Sequence, residues 1–348
     1  MLTFIYFLLV LGVTVFVHEL GHFIFAKKAG VYVYEFSLGM GPCLFKRKSK
    51  KSETVYSLRL LPIGGYVQLA GEDVELDKDI PENMRMQSKT WFQRFMVMIA
   101  GVLFNFILAI ILFIIVGLIN GVPTSKPIVN NILLDSPAYN TNMATNDVIT
   151  KINGKKISDM DMFNLEFSVY SGTKIDFEVK KENGIVENIV IEPNVITDEE
   201  GNQSYQYGFS LKSENKKGIL EAIKYGFMKV FSLIKQMFFI ILYLITGKLS
   251  LNNLAGPVGI YEVVGQTASL GFINVIFLIG YICTNVGFVN LVPFPAFDGG
   301  RVLFLIIEKI RRKPMSPKVE NIIHSIGFML LIAFMIFITI NDVTRLFG

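Results

Sequence analysis

Hydrophobicity along this chain comes in long blocks separated by polar stretches. The blocks 1–26, 94–120, 272–300 and 320–342 carry no Asp, Glu, Lys or Arg over most of about 20 residues, the length a helix needs to cross a bilayer. They are expected to be transmembrane helices. A fifth apolar stretch, 218–247, differs because Glu221, Lys224, Lys229 and Lys235 fall within an arc of roughly 140° at 100° per residue. That pattern predicts an amphipathic helix lying in the membrane interface within the region 213–271. The alternative is a fifth crossing.

Basic residues orient the spans. Lys27, Lys28, Lys46, Arg47, Lys48, Lys50 and Lys51 follow the first block, and Lys309, Arg311, Arg312, Lys313 and Lys318 lie between the third and fourth. The positive-inside rule puts both loops, 27–93 and 301–319, in the cytoplasm. Both termini and the stretch 121–271 are then extracytoplasmic, whereas a fifth crossing would put the second basic loop outside. The first block lacks a basic leader and a small-residue cleavage site, so it reads as a retained span.

Period-2 alternation interrupts the helical pattern twice. In the cytoplasmic loop, Val31–Phe36 and Thr54–Leu60 alternate and lead into Pro62-Ile63-Gly64-Gly65-Tyr66-Val67-Gln68-Leu69-Ala70-Gly71. Glycine permits a tight bend there, and the strand that follows is placed to dip into the membrane beside a protein-lined cavity. Gly65, Tyr66, Val67, Gln68 and Leu69 are therefore candidate substrate-binding positions, with an edge able to pair with an extended peptide. A plain cytoplasmic hairpin is the duller reading. Residues 121–212 show short alternating runs and turn signals at Asn153-Gly154 and Asn183-Gly184, as a small β-rich domain would. Asp135-Ser136-Pro137-Ala138, Asn146-Asp147-Val148-Ile149 and Ile152-Asn153-Gly154-Lys155 resemble the core of PDZ domains, with Asn146 where glycine is usual. Such domains bind peptide termini, and a rigid spacer is the alternative.

Composition agrees with the membrane reading: 52% hydrophobic residues and mean hydropathy +0.49 exceed what a soluble domain carries, and 18% charged residues fall below it. The net charge of +4 gathers beside the spans, not on a basic face with interleaved aromatics, so nucleic acid is not an expected partner. Cys43 and Cys283 do not form a disulfide framework.

The chemistry sits in the first block. His18-Glu19-Leu20-Gly21-His22 holds two of the three histidines of the chain. Residues four apart share a helix face, so both imidazoles can reach one metal ion, with Glu19 beside its water. A hydrolytic zinc needs a third protein ligand. His324 and Asp298 are the candidates near the cytoplasmic side. Pro293 and Pro295 break the helix before Asp298 and place it on irregular backbone, which membrane depth tolerates only beside a cavity or buried in protein. Asp298 is therefore the expected ligand, and His324 reads as a packing or interface residue. Asn105 reads as interhelical glue or as a neighbour of the site. Trp91 reads as an interfacial anchor.

Taken together, His18–His22, Gly101-Val102-Leu103-Phe104-Asn105, Gly64–Val67, Ala255-Gly256-Pro257-Val258-Gly259-Ile260 and the run Asn290–Gly300 are highly specific. The chain resembles the site-2 protease family of intramembrane zinc metalloproteases, in its bacterial regulator-of-sigma-E protease branch, along nearly its whole length. The resemblance implies His18, His22 and Asp298 as Zn2+ ligands, Glu19 as catalytic base and acid, and Asn290 as a polar contact to substrate backbone. It also implies the bacterial cell membrane as location, and single-span membrane proteins as partners, such as anti-sigma factors and remnant signal peptides. Phe297 departs from the leucine usual before the aspartate, and there is one PDZ-like domain where some relatives have two. The expected fold is an α-helical multi-pass membrane protein of four transmembrane helices with an inserted extracytoplasmic α+β PDZ-like domain and a membrane-associated β-hairpin. A non-catalytic scaffold with a structural zinc, or a metal transporter, would be the rival functions. A transporter would spread its polar residues along a path, whereas here they cluster at one depth.

Overall fold

The computed structural model describes residues 2–50, 52–71, 77, 79–197, 201, 203–313 and 315–347. Its α-helices are α1 (Leu2–Lys28), α2 (Trp91–Asn120), α3 (Met160–Tyr170), α4 (Ile219–Ile245), α5 (Pro257–Ser269), α6 (Phe272–Leu291), α7 (Asp298–Arg311) and α8 (Pro317–Phe347). The longest strands are β1 (Val33–Lys48) and β2 (Val55–Leu69). The protein is a mostly helical, multi-pass membrane protein with β-sheet inserts. The chain forms two compact units, Met1–Phe113 with Leu251–Gly348, and Ile114–Ser250.

In the first unit, α1 closes through a Schellman motif. Gly30 takes φ +69°, its N–H donates to the Lys27 carbonyl at 3.0 Å, and the Val31 N–H donates to the Ala26 carbonyl at 2.9 Å. Lys27 and Lys28 in the last turn complement the negative end of the helix. Val31 and Ala26 then join Val33, Leu69, Val97 and Leu305 in one buried apolar cluster. The cap thus directs the chain straight into β1.

The hairpin is longer than the alternation predicts, because Gly39 and Gly41 at φ +85° and +82° let β1 double back. Residues 35–38 lie between 55–58 on one side and 65–68 on the other, while 43–48 pair with 55–59. The 65–69 segment is thereby left as an edge. Arg59 secures it: its Nη2 donates to Glu35 at 2.8 Å and to the Tyr66 hydroxyl at 2.6 Å.

In the second unit, Lys155–Lys156, Val148–Ile152, Ile175–Lys180 and Val186–Ile191 form a four-stranded antiparallel sheet in that order. Inward-facing Ile149, Ile152, Ile175, Phe177, Val179, Ile189 and Ile191 make its core. The Asn153-Gly154 turn has both φ angles positive, 47° and 78°, as a type I′ hairpin turn requires. Asn146 adopts φ +73°, which explains how it can stand where glycine is usual, since asparagine tolerates the left-handed region. A separate strand pair joins Val129–Ile132 to Phe209–Leu211. Asp159 caps α3 by accepting the Met162 N–H at 3.0 Å.

Among the described residues five helices are long and apolar enough to cross a membrane, α4 being the additional one. Its polar side is occupied within its own unit. Lys229 pairs with Asp161 at 2.6 Å, Ser232 donates to Asp159 at 2.8 Å, Lys235 donates to Ser158 at 2.8 Å, and Tyr243 donates to Glu166 at 2.6 Å. At 1.5 Å per residue these contacts run along about 20 Å of helix. The opposite side exposes Phe227, Phe231, Phe238, Leu242 and Ile245.

Candidate active site

Two features of the chain bring three donor atoms together. Helical spacing stacks His18 and His22, whose Nε2 atoms are 3.2 Å apart. Further along the chain α6 stops at Leu291, two prolines interrupt the helical hydrogen-bond ladder, and α7 begins at Asp298. This puts the Asp298 carboxylate at a helix N-terminus, with its Oδ2 3.1 Å from His18 Nε2 and 3.2 Å from His22 Nε2.

Helix α2 forms the back wall. Gly21 of α1 lies so close to it that a Cβ there would sit 2.4 Å from the Ala100 carbonyl oxygen. Gly101 faces the rings themselves: a Cβ on it would lie 2.3 Å from His22 Nε2 and 2.7 Å from His18 Cε1. One turn earlier on α2, the Val97 carbonyl lies 2.8 Å from His22 Nδ1. A carbonyl accepts only, so Nδ1 carries the proton and Nε2 presents a lone pair.

The donor set fits a zinc ion. Asp298 Oδ2 is buried and accepts no hydrogen bond among the described residues, although it faces both imidazoles. A cation in the midst of these three atoms would let each present a lone pair to it without mutual repulsion. Two nitrogens and one carboxylate oxygen suit zinc, and corners of a tetrahedron whose centre is about 2.0–2.1 Å from each are about 3.3 Å apart, close to the spacing here. Among the described residues this is the one group of His, Cys, Asp and Glu placed to hold a metal.

The triad opens into a cavity of about 440 Å³. Glu19 lines it, and the edge segment from Gly65 to Leu69 forms one wall. Gly65 fits tightly where the edge passes α1, since a Cβ would lie 2.8 Å from the Ser37 carbonyl oxygen and 3.0 Å from Glu19 Cγ and Val15 Cγ1. Phe297, Arg301 and His324 complete the walls, none of which the motifs had singled out for the cavity. His324 also packs edge-on against Phe304, with ring centroids 5.7 Å apart.

Asn290 is half-buried in the last turn of α6 and is not among the residues lining the cavity. Asn105 is fully buried and places its amide 3.4 Å from His18 Nδ1. The Trp91 indole donates to the Leu305 carbonyl at 2.8 Å and so ties α2 to α7. Val97, Gly101 and Arg301 act through helix register, which sequence spacing within one segment does not reveal.

The profile of peptidase family M50 matches residues 6–334. A protein of Clostridium perfringens is 37% identical over 340 residues, covering 97% of this chain and 98% of its own. The zinc metalloprotease RasP of Oceanobacillus iheyensis is 32% identical with both chains covered in full. The regulator of sigma-W protease RasP of Bacillus subtilis is 31% identical, with 99% of each chain covered. Motif, donor geometry and these likenesses agree: the chain belongs to peptidase family M50 and is a zinc metalloprotease.

Proposed function

We propose that this protein is an intramembrane protease that hydrolyses peptide bonds within transmembrane segments of single-span membrane proteins. The observation that carries this reading is that the donor triad lies between α1 and the α6–α7 break, beside helices long and apolar enough to cross a membrane, on the same cavity as a strand edge.

His18, His22 and Asp298 would hold the zinc, and bound zinc would supply Lewis acidity to the scissile carbonyl and to the attacking water. Glu19 takes the proton from that water and delivers it to the departing amine. A helical substrate hides its carbonyls in internal hydrogen bonds and must unwind locally before attack. The Gly65–Leu69 edge offers free backbone donors and acceptors that hold the unwound segment extended. Asn290 would contact substrate backbone where it extends past these walls.

The topology follows the four-span reading, with both termini and the PDZ-like domain extracytoplasmic in a bacterial cell membrane. Several polar contacts of α4 run lengthwise to its own domain while its other side is apolar, which supports a helix lying in the interface over a fifth crossing. Between α3 and the strand Phe209–Leu211 lies a groove of about 450 Å³, lined by Phe163, Phe167, Tyr205, Tyr207 and Phe209. It fits an extended peptide terminus with apolar side chains. Because the Bacillus subtilis relative is a regulator of sigma-W protease, anti-sigma factors are the proposed substrates, with remnant signal peptides as a second class.

Mass-spectrometric mapping of the products of a tagged single-span substrate in liposomes tests this. Cleavage inside the apolar segment is expected, and proline introduced at Val67 should reduce it severely without removing zinc. Cleavage confined to the substrate's extramembrane segments would overturn the reading.

A further inference from the structure

One face of α2 touches the histidines at three successive turns. The Val97 carbonyl accepts from His22 Nδ1, Gly101 leaves room for both rings, and Asn105 reaches His18. The spacing is four residues each time, so one stripe of the helix serves the site. The first two contacts have clear roles. Asn105 does not: it is fully buried, and its Oδ1 has no hydrogen-bond partner among the described residues.

His18 poses the same problem that Val97 solves for His22. Its Nε2 faces Asp298 and His22 and must present a lone pair there, which requires the proton on Nδ1. A buried N–H needs an acceptor. The Asn105 amide is the polar group at Nδ1, 3.4 Å away, and amide oxygen and nitrogen exchange places by a half-turn of the side chain. With the nitrogen toward Nδ1 the tautomer would be the wrong one for binding metal. With the oxygen there, Nδ1–H donates to Oδ1, and the orphaned acceptor and the buried donor satisfy each other.

We infer that Asn105 is a positioning residue that sets the tautomer and ring orientation of His18 through Oδ1, so that α2 prepares both histidines for zinc. This rests on the proposed ligand set. Partners of this kind typically change metal affinity by about 10–100-fold when removed.

The test uses the full-length protein in detergent, with zinc affinity measured by competition against a chromogenic chelator and with the visible spectrum of the Co2+-loaded protein. Asn105→Leu, similar in shape but unable to accept a hydrogen bond, is expected to bind zinc about 10–100-fold more weakly and to shift the Co2+ bands. Asn105→Asp keeps an acceptor and is expected to restore both to near the wild-type values. Equal zinc affinity and an unchanged spectrum in Asn105→Leu would overturn the inference and leave Asn105 as interhelical packing. So would loss of affinity in Asn105→Asp as large as in Asn105→Leu. Asp298→Ala, measured alongside, separates the two levels: undiminished zinc binding there would mean that the ligand set itself is wrong.

Discussion

Buried carboxylates of the Ile114–Ser250 unit and the donor triad of the other unit are settled in opposite ways. In the Ile114–Ser250 unit two buried carboxylates are each neutralised by a neighbour: Glu166 meets Lys155 at 2.7 Å and Tyr243 at 2.6 Å, and Asp147 meets Lys181 at 2.8 Å. In the other unit the Nε2 atoms of His18 and His22 and the Oδ2 atom of Asp298 converge within 3.2 Å of one another. Paired burial ties elements together, here α3 to α4. Convergent burial without a shared proton marks a place for a cation, and it is tolerated because α1, α2 and the α6–α7 break hold the groups from separate directions. The same cost of desolvation thus identifies structure in one unit and chemistry in the other.

That contrast has consequences that mutation can break. The largest is expected in the convergent site. His22→Ala or Asp298→Ala should abolish both zinc binding and cleavage, read as metal content per chain and product formed, while the Ile114–Ser250 unit keeps its unfolding transition. Next comes Gly101→Ala. Its Cβ would overlap the His22 ring, so zinc affinity should fall by about tenfold or more, within the range seen when supporting groups are lost. Wild-type affinity in this variant would show that α2 does not constrain the rings.

In the paired unit the effect should be on stability alone. Lys155→Met strands the fully buried Glu166 without its cation, and breaking such a pair costs about 3–5 kcal/mol. A lower unfolding midpoint with unchanged zinc affinity is the expected result, and a change in zinc affinity would contradict the separation. The smallest effect concerns Asp159, the cap of α3. Burial pushes its carboxyl upward, but hydrogen bonds from Ser158, the Met162 N–H and Ser232, with Lys235 nearby, outweigh this and hold it below the usual carboxylate range. A carboxyl depressed in the folded state contributes stability above its unfolded value and loses it as pH falls through the folded value. Asp159→Ala should therefore cost about 1 kcal/mol at neutral pH, and the difference from wild type should vanish in acid, as followed by thermal unfolding across pH.

How much of this was visible in the chain depends on distance along it. His18, Glu19 and His22 are legible because a helix turn brings them together without any tertiary contact. Asp298 is legible through Pro293 and Pro295, which announce broken backbone at membrane depth. Asn105 against His18, and Val97 against His22, are not: they depend on where α2 crosses α1, and the glycines that permit the crossing show only that something comes close. Arg301 and His324 line the cavity for the same reason of helix register. Alternation predicts too short a hairpin because Gly39, Gly41 and Pro42 interrupt it where β1 turns back. The α4 stretch shows the limit of hydropathy. Length and composition admit it as a span, whereas the charged arc of Glu221, Lys224, Lys229 and Lys235 and the run of contacts to Asp159, Asp161 and Glu166 argue for the interface.

The most direct test of the central claim combines zinc content with cleavage of a single-span substrate in liposomes, for wild type and Glu19→Gln. Glutamine keeps the shape of Glu19 but cannot exchange protons. Both proteins are expected to hold one zinc, with cleavage lost in the variant. Cleavage at the wild-type rate by Glu19→Gln, or zinc bound equally by a chain lacking His18 and His22, would contradict the account.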